Sequence, residues 1–401
     1  MKLMKIITII AIVLFVSLTN KSLLPMSSEI DNMEILKLAG LDYDKDEKEN
    51  KAILSFMMEK EEGGIGNADE AKKEYQEVMT YKGVTFNEAV RQMQFYSDKN
   101  VTGSHVKYFL IGEETAKNNI DNALEPLAKD EEVRLSSHIY LIKGMTSREF
   151  MEEIAGAEYK LTEKLQSMEE KGSEKTIINY MVLSELLSSK LSKTGTYLIP
   201  ALEMDSSENL TMVSGKEKEN EESHDKRFDF YGYGIMKKTK LIAYINQDES
   251  IIYNMLTNKL SGGNINISLE NEETLSFGIN DLKTSYSFDF CENELKKVNI
   301  KVEFRSNFEE VQTDEDITIE KNIKKYERLQ EQKIKKQVEA LIIKSKNWDL
   351  DILGIEQKLK IKHPYKYKNI EKSFDETYKY IDVNIEIDAN IDRTYDIYKI
   401  N

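Results

Sequence analysis

The sequence predicts an α+β fold of two or three small domains, with mainly antiparallel sheets packed against helices. Three observations carry that prediction. At about 150 residues per domain, 401 residues make two or three. Runs with a two-residue apolar period, closed by Gly, Asn or Asp and joined by short connections, recur along the chain, as antiparallel strands do. Between them lie segments whose apolar residues stand three and four apart, the period of an amphipathic helix. The composition, 40% hydrophobic and 32% charged, suits a chain that buries real cores. With 56 basic against 72 acidic residues the formal charge is −16, which argues against a nucleic-acid partner, since phosphate contacts need a basic face. One cysteine, Cys291, excludes a disulfide framework and a multi-cysteine zinc site.

In chain order, Lys2 and Lys5 precede an apolar run over 6–18. A basic start with a short apolar stretch describes a secretory signal better than a membrane span of about 20 apolar residues. Val16-Ser17-Leu18-Thr19-Asn20 is a poor cleavage site, so retention as an uncleaved anchor is a second expectation. Either way, the chain that follows should lie outside the cytoplasmic membrane.

Residues 35–39 read as a strand, 42–46 as a polar turn and 52–58 as the partner strand. Phe86, Ala89, Val90 and Met93 are at helical spacing, with Thr85 or Asn87 near the cap. Strands follow at 106–111 and 139–142, the first running through Gly112 into a helix rich in Ala and Glu. Phe150, Ile154, Ala157, Leu161, Leu165 and Met168 line one helical face; Ile177, Met181, Leu183, Leu187 and Leu191 line another. Residues 203–227, dominated by Glu, Ser, Asn, Asp and Lys, read as a solvated acidic linker. Beyond it come a hairpin at 228–236 and 241–244, and strands at 265–269, 275–279, 285–290 and 298–304. A long helix over 319–343 and an alternating strand at 381–387 complete the pattern. The expected organisation is 1–25 as signal or anchor, 26–202 as an N-terminal region of one or two subdomains, 203–227 as linker and 228–401 as a C-terminal domain.

Catalytic patterns fail. His105, His138, His224 and His363 are scattered without an H-x-x-x-H pair, so no metal site is expected. There is no G-x-S-x-G elbow. Cys291 follows the alternating Phe288-Asp289-Phe290, which suggests a half-buried strand residue. Gly63-Gly64-Ile65-Gly66 lacks a following Lys-Ser or Lys-Thr, and Asp69 would face the phosphate; a hairpin tip is the better reading. N-x-S/T triplets at Asn100, Asn209 and Asn266 suit surface loops. No catalytic residue, cofactor or metal is expected.

One feature opposes the overall charge. The long helix carries Lys321, Lys324, Lys325, Arg328, Lys333, Lys335, Lys336 and Lys344 against Glu320, Glu327, Glu331 and Glu339. Such a strip is either the solvated face of an amphipathic helix or a surface for anionic headgroups or an acidic partner. Lys321, Lys324, Lys325, Arg328, Lys335 and Lys336 are the candidate contact residues.

Several stretches, in order, resemble the Ger(x)C family, the C subunits of spore germinant receptors. They are Glu29-Ile30-Asp31-Asn32-Met33, Leu41-Asp42-Tyr43-Asp44-Lys45, Gly83-Val84-Thr85-Phe86-Asn87-Glu88-Ala89, and Ser104-His105-Val106-Lys107 leading to Ile111-Gly112-Glu113-Glu114-Thr115-Ala116. In the second half they are Gly232-Tyr233-Gly234-Ile235-Met236, Lys240-Leu241-Ile242-Ala243-Tyr244, Asp248-Glu249-Ser250 and Asp351-Ile352-Leu353-Gly354. The resemblance implies a non-enzymatic, extracytoplasmic subunit of small α+β domains at the outer face of the spore inner membrane. It implies assembly with membrane-embedded A and B subunits in nutrient-triggered germination. The family usually starts its mature chain at a lipidated cysteine followed by Trp-Asp; here Leu24 and Pro25-Met26 occupy those places. Two other readings remain beside it: a secreted or surface protein binding a ligand alone, and an extracytoplasmic hydrolase.

Overall fold

A computed structural model of the chain describes residues 33–45, 50–61, 74–157, 159–175, 178–191, 194–205, 227–269, 273–292, 294–313 and 315–392. The apolar run at 6–18, Leu24, the glycine cluster at 63–66, and Asn209 and His224 in the acidic stretch lie outside the described residues.

The first half contains β1 (Met33–Ile35), β2 (Leu38–Lys45), β3 (Asn50–Glu61), β4 (Glu74–Gly83), α1 (Phe86–Tyr96), β5 (Asn100–Thr102) and β6 (Tyr108–Gly112). It continues through α2 (Glu113–Asn119), α3 (Asp121–Lys129), β7 (His138–Ile142), α4 (Ser147–Ala155), α5 (Leu161–Lys175), α6 (Leu183–Lys190) and β8 (Thr196–Met204). The second half contains β9 (Phe228–Lys237), β10 (Lys240–Asn246), α7 (Gln247–Leu256), β11 (Gly263–Ser268), β12 (Thr274–Cys291) and β13 (Glu294–Gln312). After them come α8 (Glu320–Asn347), α9 (Ile355–Lys362), α10 (Pro364–Ile370), α11 (Phe374–Tyr378) and β14 (Asp382–Ile391).

The larger sheet has the order β10-β9-β8-β7-β6-β2-β3-β4. Antiparallel hairpins form both flanks, and β2, β6, β7 and β8 form a parallel centre between them. Parallel neighbours need crossovers, which α1 to α6 supply. Strands sandwiched this way are buried on both faces, and β6 and β7 read accordingly as near-continuous apolar runs. Alternate residues divide between two cores. Tyr108, Leu110, Tyr140 and Ile142 pack with Phe150 and Ile154 of α4 and Leu161 and Leu165 of α5. Phe109, Ile111, Ile139 and Leu141 pack with α1, α2, α3 and α6 through Phe86, Ala116, Leu124 and Leu183. The first core continues through β9 and α7 into the smaller sheet.

Strands on either side of the acidic stretch belong to one sheet. β8 pairs with β9 in antiparallel register from Thr196↔Lys237 to Met204↔Phe228, and Asp205 N–H donates to Arg227 O at 2.8 Å. Composition marks the acidic stretch; it carries no information on which strands pair across it.

The smaller sheet has the order β11-β12-β13-β14, with β14 parallel to β13. Two expected strands, 275–279 and 285–290, are one strand with a bulge. The register shifts between Asn280 and Lys283, where Asp281 has φ 47. The one extra residue changes parity, so Leu275, Phe277 and Ile279 before the bulge and Tyr286 and Phe288 after it all reach the core. Three further expectations are corrected. Residues 42–45 continue β2 rather than turning. The helical face at 150–168 is two helices, since α4 ends at Gly156; its apolar period stays in phase because both helices cover the same core. Of the face at 177–191, the described residues are helical over Leu183–Lys190, and Ile177 lies outside them. Helices α9 to α11 were not read from the sequence, being too short for a sustained period. Cys291 is exposed at the end of β12, beside the turn at Glu292 with φ 55. Asn100 and Asn266 are exposed, but on strands β5 and β11 rather than in loops.

Candidate functional site

Helix α8 lies along the smaller sheet with Ile323, Tyr326, Ile334, Val338 and Leu341 buried. Phe308 of β13 meets Tyr326 edge-on, ring centres 6.1 Å apart. All six candidate residues, Lys321, Lys324, Lys325, Arg328, Lys335 and Lys336, are exposed. The glutamates set against them in the sequence are not spread evenly around the helix. Glu327 Oε1 accepts the N–H of Ile391 at 3.0 Å, and Glu331 Oε1 that of Ala389 at 3.3 Å. One helical turn apart, these two carboxylates close donors on the open edge of β14. Burial holds the Glu331 carboxyl above its ordinary value, against the opposing pull of the Ala389 N–H.

Their removal from the outer face leaves the strip more basic than its composition. Lys324 pairs with Glu320 at 3.2 Å and Lys325 with Glu315 at 2.7 Å. Among the described residues Lys321, Arg328, Lys335 and Lys336 make no ion pair. Lys333 and Lys344, by contrast, turn toward the protein, donating to Asn266 O and pairing with Glu249.

The conspicuous short motifs serve the architecture. Thr85 caps α1 by accepting Glu88 N–H at 3.2 Å. Asn246 and Glu249 form a reciprocal capping box at α7. Asp42 on β2 caps the distant helix α4, accepting the Ser147 N–H at 2.9 Å and the Arg148 N–H at 3.0 Å. Asp351 is buried and accepts Ile355 N–H at 2.9 Å and Glu356 N–H at 2.8 Å, holding the start of α9 while Gly354 takes φ 63.

The histidines do not converge. His105 contacts Arg134, and His363 sits beside Phe288 and Phe290. His138 Nδ1 faces Glu169, a nearly buried carboxylate that also accepts from Tyr140 OH at 2.5 Å and Tyr108 OH at 3.2 Å. Among the described residues no group of three His, Cys, Asp or Glu side chains is placed to hold a metal, and no helix is long and apolar enough to cross a membrane.

A cleft of about 1000 Å³ opens where α6 and the start of β8 face the 351–354 loop, α9 and α10. Sequence reading missed it because its walls are separated by more than a hundred residues. Burial pushes the Asp351 carboxyl up and the Lys358 ammonium down in this wall.

Fold and surface together define an α+β protein built on two main sheets, with no legible catalytic constellation among the described residues. Residues 27–204 match the family described as spore germination protein N-terminal domain, and residues 231–395 match spore germination B3/GerAC like, C-terminal. The chain belongs to this Ger(x)C family of germinant-receptor C subunits. A structure titled "Crystal Structure of the GerBC protein" is similar in fold: TM-score 0.55, 18% identity, 88% of this chain and 97% of that chain covered. No match is found among curated proteins.

Proposed function

We propose that this chain is a non-enzymatic, extracytoplasmic subunit of a spore germinant receptor, assembled with membrane-embedded A and B subunits at the outer face of the spore inner membrane. The observation that carries the reading is the match of both halves to spore germination families, over 27–204 and 231–395. The α8 strip supplies a means of placement: basic side chains on one face of an acidic protein favour anionic headgroups or an acidic partner surface. Leu24 stands where the family has its lipidated cysteine, so retention rests on the N-terminal segment together with this surface.

Two measurements test the reading. Affinity purification from detergent-solubilised spore membranes should recover two multispanning subunits with the tagged chain. Deletion of the gene, together with any paralogue, should abolish or slow the response to nutrients while leaving nutrient-independent germination intact. Recovery of the chain alone, with unchanged nutrient response in the deletion, sinks the proposal. That result would instead favour a surface protein binding a ligand by itself, for which the cleft between α6 and α9 is the feature in favour.

A further inference from the structure

Helices α9 and α10 meet at His363, whose ring stands edge-on to Phe288 and Phe290 of β12, centres 5.8 and 5.3 Å away. Pro364 opens α10, where its fixed φ suits a first helical position and its missing N–H costs nothing. Each helix turns apolar residues inward: Ile355 and Leu359 from α9, Tyr367 and Ile370 from α10. At 3.6 residues per turn, a side chain two positions from a buried one points away from the core. Ile361, two past Leu359, and Tyr365, two before Tyr367, are accordingly 71% and 84% exposed. Helix geometry sets them outside.

Their surroundings are basic. From Gln357 to Ile370 the chain carries five lysines and no Asp, Glu or Arg. Of the acids that bound this stretch, Glu356 is buried and accepts from Tyr367 OH at 2.7 Å, and Glu371 is half-buried. Lys358 is drawn in to Leu353 O, while Lys360, Lys362, Lys366 and Lys368 are exposed. Lys362 Nζ donates to Tyr286 O, and Lys366 Nζ lies 4.0 Å from the Phe290 ring. Lys360 and Lys368 make no ion pair among the described residues. An exposed apolar side chain standing singly is ordinary; here an aliphatic and an aromatic one share a helix junction bracketed by cations.

We propose that the α9–α10 junction docks on an anionic bilayer, with Ile361 and Tyr365 entering the headgroup layer and Lys360 and Lys368 held at its phosphates. A bilayer is favoured over an acidic protein for two reasons. Protein interfaces enrich arginine and deplete lysine, and every cation of this stretch is a lysine. Apolar tips set among lysines are the pattern of an interfacial helix, and tyrosine is enriched at headgroup depth. Leu359, Tyr367 and Ile370 pack in one core with Ile334, Val338 and Leu341 of α8, so both basic surfaces belong to helices of the same core. The proposal goes beyond the receptor reading, which assigns no part to α9 or α10.

The test uses the full chain on vesicles, with nitrobenzoxadiazole attached at Ile361→Cys in a Cys291→Ser background. Cys291 is exposed, so its replacement should leave the fold intact. The readout is local to residue 361 and does not depend on what else holds the chain. On phosphatidylglycerol-rich vesicles the emission should shift to the blue and be quenched by nitroxide-labelled lipid; pure phosphatidylcholine should give neither. Lys360→Gln with Lys368→Gln should lower the ratio of inserted to withdrawn probe about thirtyfold, and added salt should act in the same direction. The unfolding midpoint should not move, since both side chains are exposed. Equal emission on the two lipids, no quenching by labelled lipid, or an unaltered ratio in the lysine variant each overturns the proposal. A blue shift without lipid quenching, seen only when multispanning subunits are present, would assign the surface to a protein and overturns it too. Failure on any of these counts leaves the receptor reading intact, because that reading is tested by recovery of the subunits and by the nutrient response.

Discussion

Asp42 and Ser147 stand 105 positions apart and are bonded twice: Ser147 Oγ donates to Asp42 Oδ2 at 2.7 Å, and Ser147 N–H to Oδ1 at 2.9 Å. A carboxylate on a strand thus supplies to α4 what a local cap supplies elsewhere, tying β2 to the helix that covers it. Thr146 and Glu149 add a local capping box. Asp42→Ala removes a buried charged acceptor and strands its donors, so it should destabilise the protein by about 2–4 kcal/mol in urea unfolding. A loss under 1 kcal/mol, read against the ordinary surface scatter of about 0.5, would mean the local box suffices.

The same carboxylate gives a pH signature. Burial raises the Asp42 pKa above 3.8, although the Ser147 and Arg148 donors pull it down. The folded state then holds this proton more tightly than the unfolded chain does. The group's contribution is therefore greatest below 3.8 and declines as pH rises through the folded value. Wild-type stability minus that of Asp42→Asn should shrink between pH 3 and 7; growth of that difference with pH would contradict the assignment.

Gly112 lies where β6 meets α2, and a Cβ there would overlap the Asp42 carboxylate and crowd Ser147 N and Thr146 Cα at 3.1 Å. Backbone neighbours give little. Gly112→Ala should cost about 1–3 kcal/mol, and most of that penalty should disappear in the Asp42→Ala background, where the larger overlap is gone. Additive penalties in a double-mutant cycle would place the clash elsewhere.

Glu169 gathers Tyr108, Tyr140 and His138 around one nearly buried carboxylate in the first core. Replacing it with leucine leaves two phenolic hydroxyls without their acceptor, a loss of about 3 kcal/mol or more in thermal or chemical unfolding. Glu169→Gln keeps an acceptor and should recover part of that loss. Equal stability of the two variants would argue that packing alone matters at this position.

On α8, Gln at Lys321, Arg328, Lys335 and Lys336 removes cations that make no ion pair among the described residues. At about 1 kcal/mol for each cation near an anionic surface, cosedimentation with phosphatidylglycerol-rich vesicles should weaken about 100-fold or more and become less sensitive to salt. The fold should be indifferent to the change. Identical vesicle binding by the variant would remove membrane placement from this face.

How much was legible follows from which interactions are local. Thr85 before Phe86 announces α1 because a cap bonds three residues away, and the Ile-Val alternation of β14 announces a strand because its period is built into consecutive residues. The six strip residues were legible as a basic face because α8 is long enough for its period to persist. That Glu327 and Glu331 leave this face to close the β14 edge was not, since their partners are backbone N–H groups some sixty positions away. The cleft was equally hidden: no pattern of neighbours encodes which surfaces of α6 and α9 will confront each other.

The amino-acid sequence by itself determined the class of fold, the order of most elements, the acidic charge with its one basic helix, and the family, because periodicity, capping and collinear motifs are properties of adjacent residues. Tertiary structure alone decided that β8 and β9 share a sheet across the acidic stretch, and that β2, β6, β7 and β8 run parallel. Strand neighbours, buried donors and clefts are set by which distant surfaces exclude water together. That depends on the free energy of the whole packed chain and on no single stretch of it.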